Sequence, residues 1–388
     1  MPILNFKFRN FHSFKEGVEI PFVVNEKCPT AISKGLGYIT VLGLKGANAS
    51  GKTNILKALN FFSQFTASSF LNDVEKDIPV AVFNNGNEPA EFEMDFEINQ
   101  TVYKLELQVD KNEVKTEILS IRSAKGTYLI VAKRIGNKIT KTAKEYEALK
   151  KIKLPTKVSM VSTARQNELS ILVDVYEFFK GFNGNVGRYG WHETGPNIDV
   201  VSKWMNEDSE LLKFVIEILK KCDVGISNVE ILNYDNKLGE KKFFPVFEHP
   251  CKDGVIRISD LDESSGTVTL FKYLALYWFS IKFGTVLLID EIDNNLHPML
   301  LPLLINLFDD RTANQGNSQI VFTTHDAGIM DYLGKYRIFI VNKNSNESFG
   351  YRLDSVGGEI IRNDRPISPT YLDKRLGGVP REYGTYEE

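Results

Sequence analysis

Cysteine is scarce in this sequence, three residues among 388, and Cys28, Cys222 and Cys251 sit far apart with no metal-ligand spacing. That excludes a disulfide framework and a cysteine-built zinc site, and it points to a reducing compartment. Long apolar runs are also missing. The best candidate, Tyr273–Leu288, is interrupted by Lys282 and Gly284, and falls short of the roughly 18 consecutive apolar residues that a membrane helix needs. The stretch Met1 to Arg9 alternates like a strand and lacks the apolar core of a secretion signal. Neither sign of charge dominates. The 47 Lys and Arg against 50 Asp and Glu leave a formal net charge of −3, which argues against bulk attraction to nucleic acid. The lysines between Lys133 and Lys157 read as a solvated face. The expectation is a cytoplasmic protein without a membrane partner.

What is present is ordinary globular composition, 43% apolar and 25% charged, in a chain long enough for two or three lobes. Ile3–Phe8 and Val18–Phe22 read as a strand pair. Tyr38–Leu44 reads as a strand running into Lys45–Lys52, and Thr53–Phe65 as a helix with Ile55, Leu56, Leu59 and Phe62 on one face. From Glu91 to about Arg134 apolar and polar residues alternate, which predicts an antiparallel meander with a dry and a wet face. Helices are predicted at Glu168–Phe182 and Val200–Cys222, with the Gly- and Asn-rich stretch Gly181–Gly195 as a mobile loop. Strands Val229–Leu232 and Phe243–Phe247 come next. Helix Thr267–Phe279, strand Thr285–Ile289, helix Leu300–Phe308 and strands Gln319–Thr323 and Tyr336–Val341 complete the pattern. Such alternation implies an α/β fold whose parallel sheet is covered on both sides.

Two stretches carry chemistry. Gly46-Ala47-Asn48-Ala49-Ser50-Gly51-Lys52-Thr53 fits G-x-x-x-x-G-K-[ST] at every position. Its glycines let backbone N–H groups turn inward around phosphates, Lys52 brings a point charge, and the Thr53 hydroxyl suits Mg²⁺. The helix that follows aims its positive end at the same anion. The second stretch, Thr285 to Glu291, is an apolar strand ending in two carboxylates. It delivers Asp290 to the carboxyl edge of the sheet, to hold the water shell of Mg²⁺, and places Glu291 to polarise an attacking water.

Other signals are weaker in isolation. Ser264, Ser265, Gly266 and Thr267 open a helix shortly before that strand. A simple helix cap accounts for Ser264, and an anion cradle accounts for the whole segment. A second cradle cannot easily face the phosphates held by its own chain's loop, so a symmetric dimer with ATP between the two is the economical arrangement. Asp293 lies in the turn after Glu291, at the expected dimer seam. His325 ends the next strand, within reach of a γ-phosphate, whereas His297 before Pro298 reads as a turn and capping residue.

Taken together, these residues resemble the ABC-type ATPase superfamily, and within it the SMC/RecF-like and OLD-like stand-alone ATPases. Phe8 to Phe14 is similar to the family's N-terminal strand-turn. Gly46–Thr53 is similar to Walker A, Ser264–Thr267 to the signature motif, Val286–Glu291 to Walker B, Asp293 to the D-loop and His325 to the switch histidine. The resemblance implies that Gln166, in Ser162 to Gln166, is the Q-loop glutamine and a Mg²⁺ ligand. It implies an ABC-ATPase head with a mixed or parallel sheet, an antiparallel β lobe and a short helical lobe. Residues 1–65 and 241–388 would form the ATPase core, 66–160 the β lobe and 161–240 the helical lobe. The signature reads Ser-Ser-Gly-Thr instead of Leu-Ser-Gly-Gly-Gln, the middle has no long heptad coiled coil, and no Toprim-like carboxylate cluster is present. The tail from Tyr371 to Pro380 resembles AbiL-type and RloA-type abortive-infection ATPases. The implied role is an ATP-dependent homodimer that senses a viral trigger and controls a separate effector, such as a Toprim nuclease. A RecF-like DNA clamp and a scaffold with structural ATP are the alternatives.

Overall fold

The computed structural model describes residues 1–379 apart from 74, 188–189, 192–195, 223–224, 295, 358–360 and 362–364. The chain opens with β1 (Ile3–Arg9), β2 (Val18–Pro21), α1 (Thr30–Ser33), β3 (Val41–Lys45) and α2 (Lys52–Ser68). A meander follows: β4 (Ala90–Ile98), β5 (Thr101–Val109), β6 (Val114–Arg122), β7 (Tyr128–Ile135) and β8 (Lys138–Thr142). Helices α3 (Met160–Gln166) and α4 (Val173–Lys180) lead to the short strands β9 (Asn183–Gly184), β10 (Val186–Gly187) and β11 (Gly190–Trp191). Then come α5 (Ile198–Glu207), α6 (Ser209–Cys222) and a three-stranded sheet of β12 (Asn228–Asp235), β13 (Lys241–Cys251) and β14 (Gly254–Ser259). The last part alternates α7 (Ser265–Phe283), β15 (Val286–Ile289), α8 (Leu301–Asp309), β16 (Gln319–Thr323) and α9 (Ile329–Leu333). It closes with β17 (Ile338–Asn344), β18 (Glu347–Arg352) and α10 (Ser368–Leu372).

Two large sheets form the body. The antiparallel one runs β2-β1-β4-β5-β6-β7-β8, and the other runs β18-β17-β3-β16-β15-β9. The second is parallel from β17 to β9, with β18 antiparallel at its edge. Burial alternates residue by residue along β4, as a half-buried strand requires. By contrast β3, β15 and β16 are buried throughout, because that sheet is covered on both faces. Val286 and Leu288 join an apolar cluster with α2 and the antiparallel sheet, while Leu287 and Ile289 join another with α7 and α8. The first cluster is rich in rings. Phe62 stacks on Phe92 with centroids 5.7 Å apart, and Phe96 on Phe178 at 4.4 Å. Among the described residues no helix is long and apolar enough to cross a membrane.

The antiparallel sheet reaches further than expected. β1 pairs with β4, Lys7 opposite Glu93, so the opening strand pair belongs to the same sheet as the meander. The two sheets are tied by Gln319, 1% exposed, whose side chain accepts from the Ile3 N–H at 2.6 Å and donates to the Ile3 carbonyl at 3.1 Å.

Helix boundaries also differ from the periodicity. The helix read at Glu168–Phe182 is the shorter α4, Val173–Lys180, and α3 precedes that stretch, starting at Met160. Glu117, 1% exposed, accepts from Ser159 Oγ at 2.6 Å and from the Met160 N–H at 2.7 Å, and pairs with the fully buried Arg134 at 3.5 Å. The long helix read at Val200–Cys222 breaks at Asp208, whose carboxylate accepts from the N–H groups of Glu210 and Leu211 and so starts α6 afresh. β14 and β18 carry no clear alternation and were not expected. In the stretch read as a mobile loop, β9 pairs in parallel with β15, Asn183 opposite Leu287. Residues 188–189 and 192–195 of that stretch lie outside the described residues.

Candidate functional site

Parallel pairing places the ends of β3, β16 and β15 side by side, Leu44 opposite Thr323 and Phe322 opposite Ile289. The segments that leave them, Gly46–Thr53, Thr324–Asp326 and Asp290–Asp293, therefore meet at one carboxyl edge, where open α/β sheets bind ligands. Gly51, at φ +112°, lets the loop turn into α2; a Cβ there would lie 2.6 Å from Ser348 Oγ. Ser348 Oγ donates to the Ser50 carbonyl at 2.6 Å, and Asn54 donates to Ser13 Oγ at 2.8 Å. The N-terminal strand-turn thus braces the loop.

Thr53 and Asp290 meet directly: Thr53 Oγ1 donates to the carboxylate, 2.9 Å from Oδ2 and 3.1 Å from Oδ1. Asp290 is 3% exposed. Thr323 completes a chain, accepting the Glu291 N–H at 2.7 Å and donating to Asp290 Oδ1 at 2.6 Å. Glu291 sits at φ +52°, a left-handed conformation that costs a non-glycine residue about 1–3 kcal/mol and clusters at functional sites. Its carboxylate faces solvent, with His325 Nε2 3.8 Å away. Asp293 Oδ2 accepts the N–H groups of His325 at 2.8 Å and Asp326 at 3.1 Å. The structure therefore brings Thr53, Asp290, Glu291, Asp293 and His325 together.

Lys52 is 7% exposed, and its Nζ donates to the Gly46 carbonyl at 2.8 Å and the Ala47 carbonyl at 3.0 Å. Burial pulls its pKa down, while Asp290, Glu291 and Asp293 push it back up. Ser50 Oγ is buried and, among the described residues, has no hydrogen-bond partner. An orphaned hydroxyl and an ammonium resting on its own loop's carbonyls fit an anion that belongs among them. The hydroxyl and carboxylate of Thr53 and Asp290 are hard oxygen donors, and Mg²⁺ needs only one or two such protein ligands beside water and phosphate.

Ser264 caps α7, accepting the Thr267 N–H at 3.1 Å and donating to Thr267 Oγ1 at 2.8 Å. Its own N–H goes to Glu263, which His249 holds at 2.7 Å. Ser264 and Ser265 are exposed and Gly266 is half-buried. Among the described residues no hydrogen bond joins these three to Gly46–Thr53. His297 is the cap expected, accepting the Met299 N–H through Nδ1 at 3.3 Å.

Gln166 is another predicted site residue that geometry does not bring in. It is exposed at the last turn of α3, with no hydrogen bond to Thr53 or Asp290. The amide that reaches Asp290 is Asn185, just after β9. Its Oδ1 accepts the Asp290 N–H at 2.7 Å, and its Nδ2 donates to the Asp290 carbonyl at 2.9 Å. β9 comes this close because residue 184 is glycine; a Cβ there would collide with the Leu288 carbonyl. Asn185 and Thr323 had no motif to reveal them. Asn185→Ala leaves both backbone groups of Asp290 buried without partners, so stability falls by about 1–3 kcal/mol in urea unfolding. A loss below about 0.5 kcal/mol would show that water replaces the amide.

No curated protein matches this chain. Among solved structures it is similar to the Smc head domain with an extended coiled coil, bound to the C-terminal domain of ScpA, from Pyrococcus furiosus. That likeness is 16% identity over 91% of this chain and 96% of that one, with a TM-score of 0.41. It is also similar to the recombination mediator RecF of the RecFOR pathway. The RecF-ATPrS structure is 13% identical over 90% and 98% of the two chains at TM-score 0.41, and the RecF-ATP structure 14% over 84% and 92% at 0.37. Residues 41–331 match one family along their whole span, which runs from the strand before the phosphate loop to beyond His325. The chain belongs to that family, described as "AAA domain, putative AbiEii toxin, Type IV TA system".

Proposed function

We propose that this chain is an ATPase that closes head-to-tail with a second copy on ATP, opens after hydrolysis, and serves as the sensor or regulatory subunit of an antiphage system with a separate effector. The hydrogen-bonded chain Thr53–Asp290–Thr323–Glu291, beside Lys52 on its own loop's carbonyls and the unpaired Ser50 hydroxyl, carries the ATPase reading. The defence role rests on the family's description.

The chemistry follows from the residues. Lys52 leaves the Gly46 and Ala47 carbonyls for the phosphates of ATP, which recovers the burial cost of its charge. Thr53 and Asp290 would hold Mg²⁺, which when bound would supply positive charge against that developing on the phosphates. Glu291 accepts the proton of a water whose oxygen attacks the γ-phosphorus as the bond to ADP breaks. His325, next to Glu291, is placed to donate to the γ-phosphate.

The shared pocket rests on Ser264–Gly266, which open a helix towards solvent on a segment unbonded to their own chain's loop. Ser265→Arg therefore keeps ATP affinity within about threefold, since one subunit's loop supplies most of the contacts, but loses ATP-induced dimers in light scattering. Dimers that persist with ATP would contradict the shared pocket.

A further inference from the structure

Lys45 precedes the phosphate loop and is 2% exposed, a costly place for an ammonium. Among the described residues no carboxylate pairs with it. Its Nζ donates instead to the carbonyls of Thr324 at 3.3 Å and Asp326 at 3.1 Å, and lies 5.3 Å from the centre of the Tyr371 ring. Burial brings its pKa down to about 8, against the more distant pull of Asp293 and Asp326.

These bonds grip one short segment from two sides. Lys45 takes the carbonyls on either side of His325, and Asp293 takes the N–H groups of His325 and Asp326. The imidazole itself lies beside Glu291, 3.8 Å from its carboxylate. Lys45 is held in turn by the C-terminal segment. The Tyr371 hydroxyl donates to the Gly378 carbonyl at 2.8 Å, and the Gly378 N–H donates to Asn342 Oδ1 at 2.6 Å. Gly378 packs on the loop's first residue; a methyl there would lie 3.4 Å from Gly46 Cα. The Gly46 carbonyl is one of the two that Lys52 occupies. A phosphate that draws Lys52 away therefore frees the carbonyl of the residue that follows Lys45.

We propose that Lys45 is a positioning residue for ATP hydrolysis, linking the phosphate loop to His325, and that the C-terminal segment 371–379 holds it in register by covering its ammonium. Its catalytic consequence rests on the reading of Glu291 and His325 given above; the clamp itself does not.

Lys45→Met and Tyr371→Leu in the full chain test it by two readouts. The first is amide hydrogen exchange in a peptide spanning 319–333, with one spanning 286–290 as reference. Lys45→Met raises exchange at 324–326 by about tenfold and leaves the reference unchanged, and Tyr371→Leu raises it by about threefold. The second is turnover against nucleotide affinity: kcat falls by about tenfold to a hundredfold, as small misplacements do, while Kd for ATP stays within about threefold. Unchanged exchange in either variant overturns the clamp or the part given to the tail. Equal losses in kcat and affinity overturn the positioning role. Should Lys45→Met fail to fold, Tyr371→Leu decides alone, by exchange and by kcat. A wild-type protein that binds but never hydrolyses ATP would sink the hydrolytic reading, while faster exchange would still establish the clamp.

Discussion

Lys52→Ala lowers ATP affinity by about a hundredfold or more and leaves the fold intact. Two charge-assisted hydrogen bonds to phosphate are lost, each worth about 1.5–3 kcal/mol. The same change costs the empty protein little. Among the described residues Lys52 bonds only to the Gly46 and Ala47 carbonyls, and burial depresses its pKa, so removing the ammonium relieves a desolvation cost while freeing two carbonyls at the mouth of the site. Calorimetric titration with ATP and a thermal melt of the same sample check both halves. Undiminished affinity would mean that the phosphates bind elsewhere.

Glu291→Gln separates binding from chemistry. Glutamine keeps the size of the side chain and the backbone N–H bond to Thr323, so the Asp290–Thr323 network is undisturbed. What disappears is the base, and turnover falls by about 10²–10⁴-fold. On the proposed closure by ATP and opening by its loss, the variant accumulates as a dimer with ATP and stays monomeric without it. Phosphate release and light scattering report the two effects. Turnover at the wild-type rate would remove Glu291 from its role and leave His325 or water as the proton acceptor.

The parts of this site that could be read directly are those whose chemistry is local in sequence. The phosphate loop needs its glycines and Lys52 within a few residues, and the strand Val286–Ile289 shows its burial by composition before delivering Asp290. Residues that act through distant partners gave no such sign. Asn185 lies in a Gly- and Asn-rich stretch that looks like a loop, and its value comes from bonds to Asp290, 105 residues away. Gln166 was placed by analogy of order, and α3 carries it to the surface. Lys45 looks like any strand-end lysine until the Tyr371 ring and the carbonyls of 324 and 326 close around it. The fold divides in the same way. Alternation exposed the meander, but the pairing of β1 with β4 joins segments over 80 residues apart, and only closure of the chain reveals it.

The cooperation of two copies in one nucleotide site is open to a single mixing experiment. Lys52→Ala ruins the loop and spares Ser265, while Ser265→Arg does the reverse. Each variant alone is inactive. Combined in equal amounts, the chains can form mixed dimers, each with one intact loop facing one intact Ser264–Gly266 segment and one ruined site, so turnover returns to at most about half of wild type. A mixture as inactive as its components would show that each chain hydrolyses, or fails to hydrolyse, its nucleotide alone.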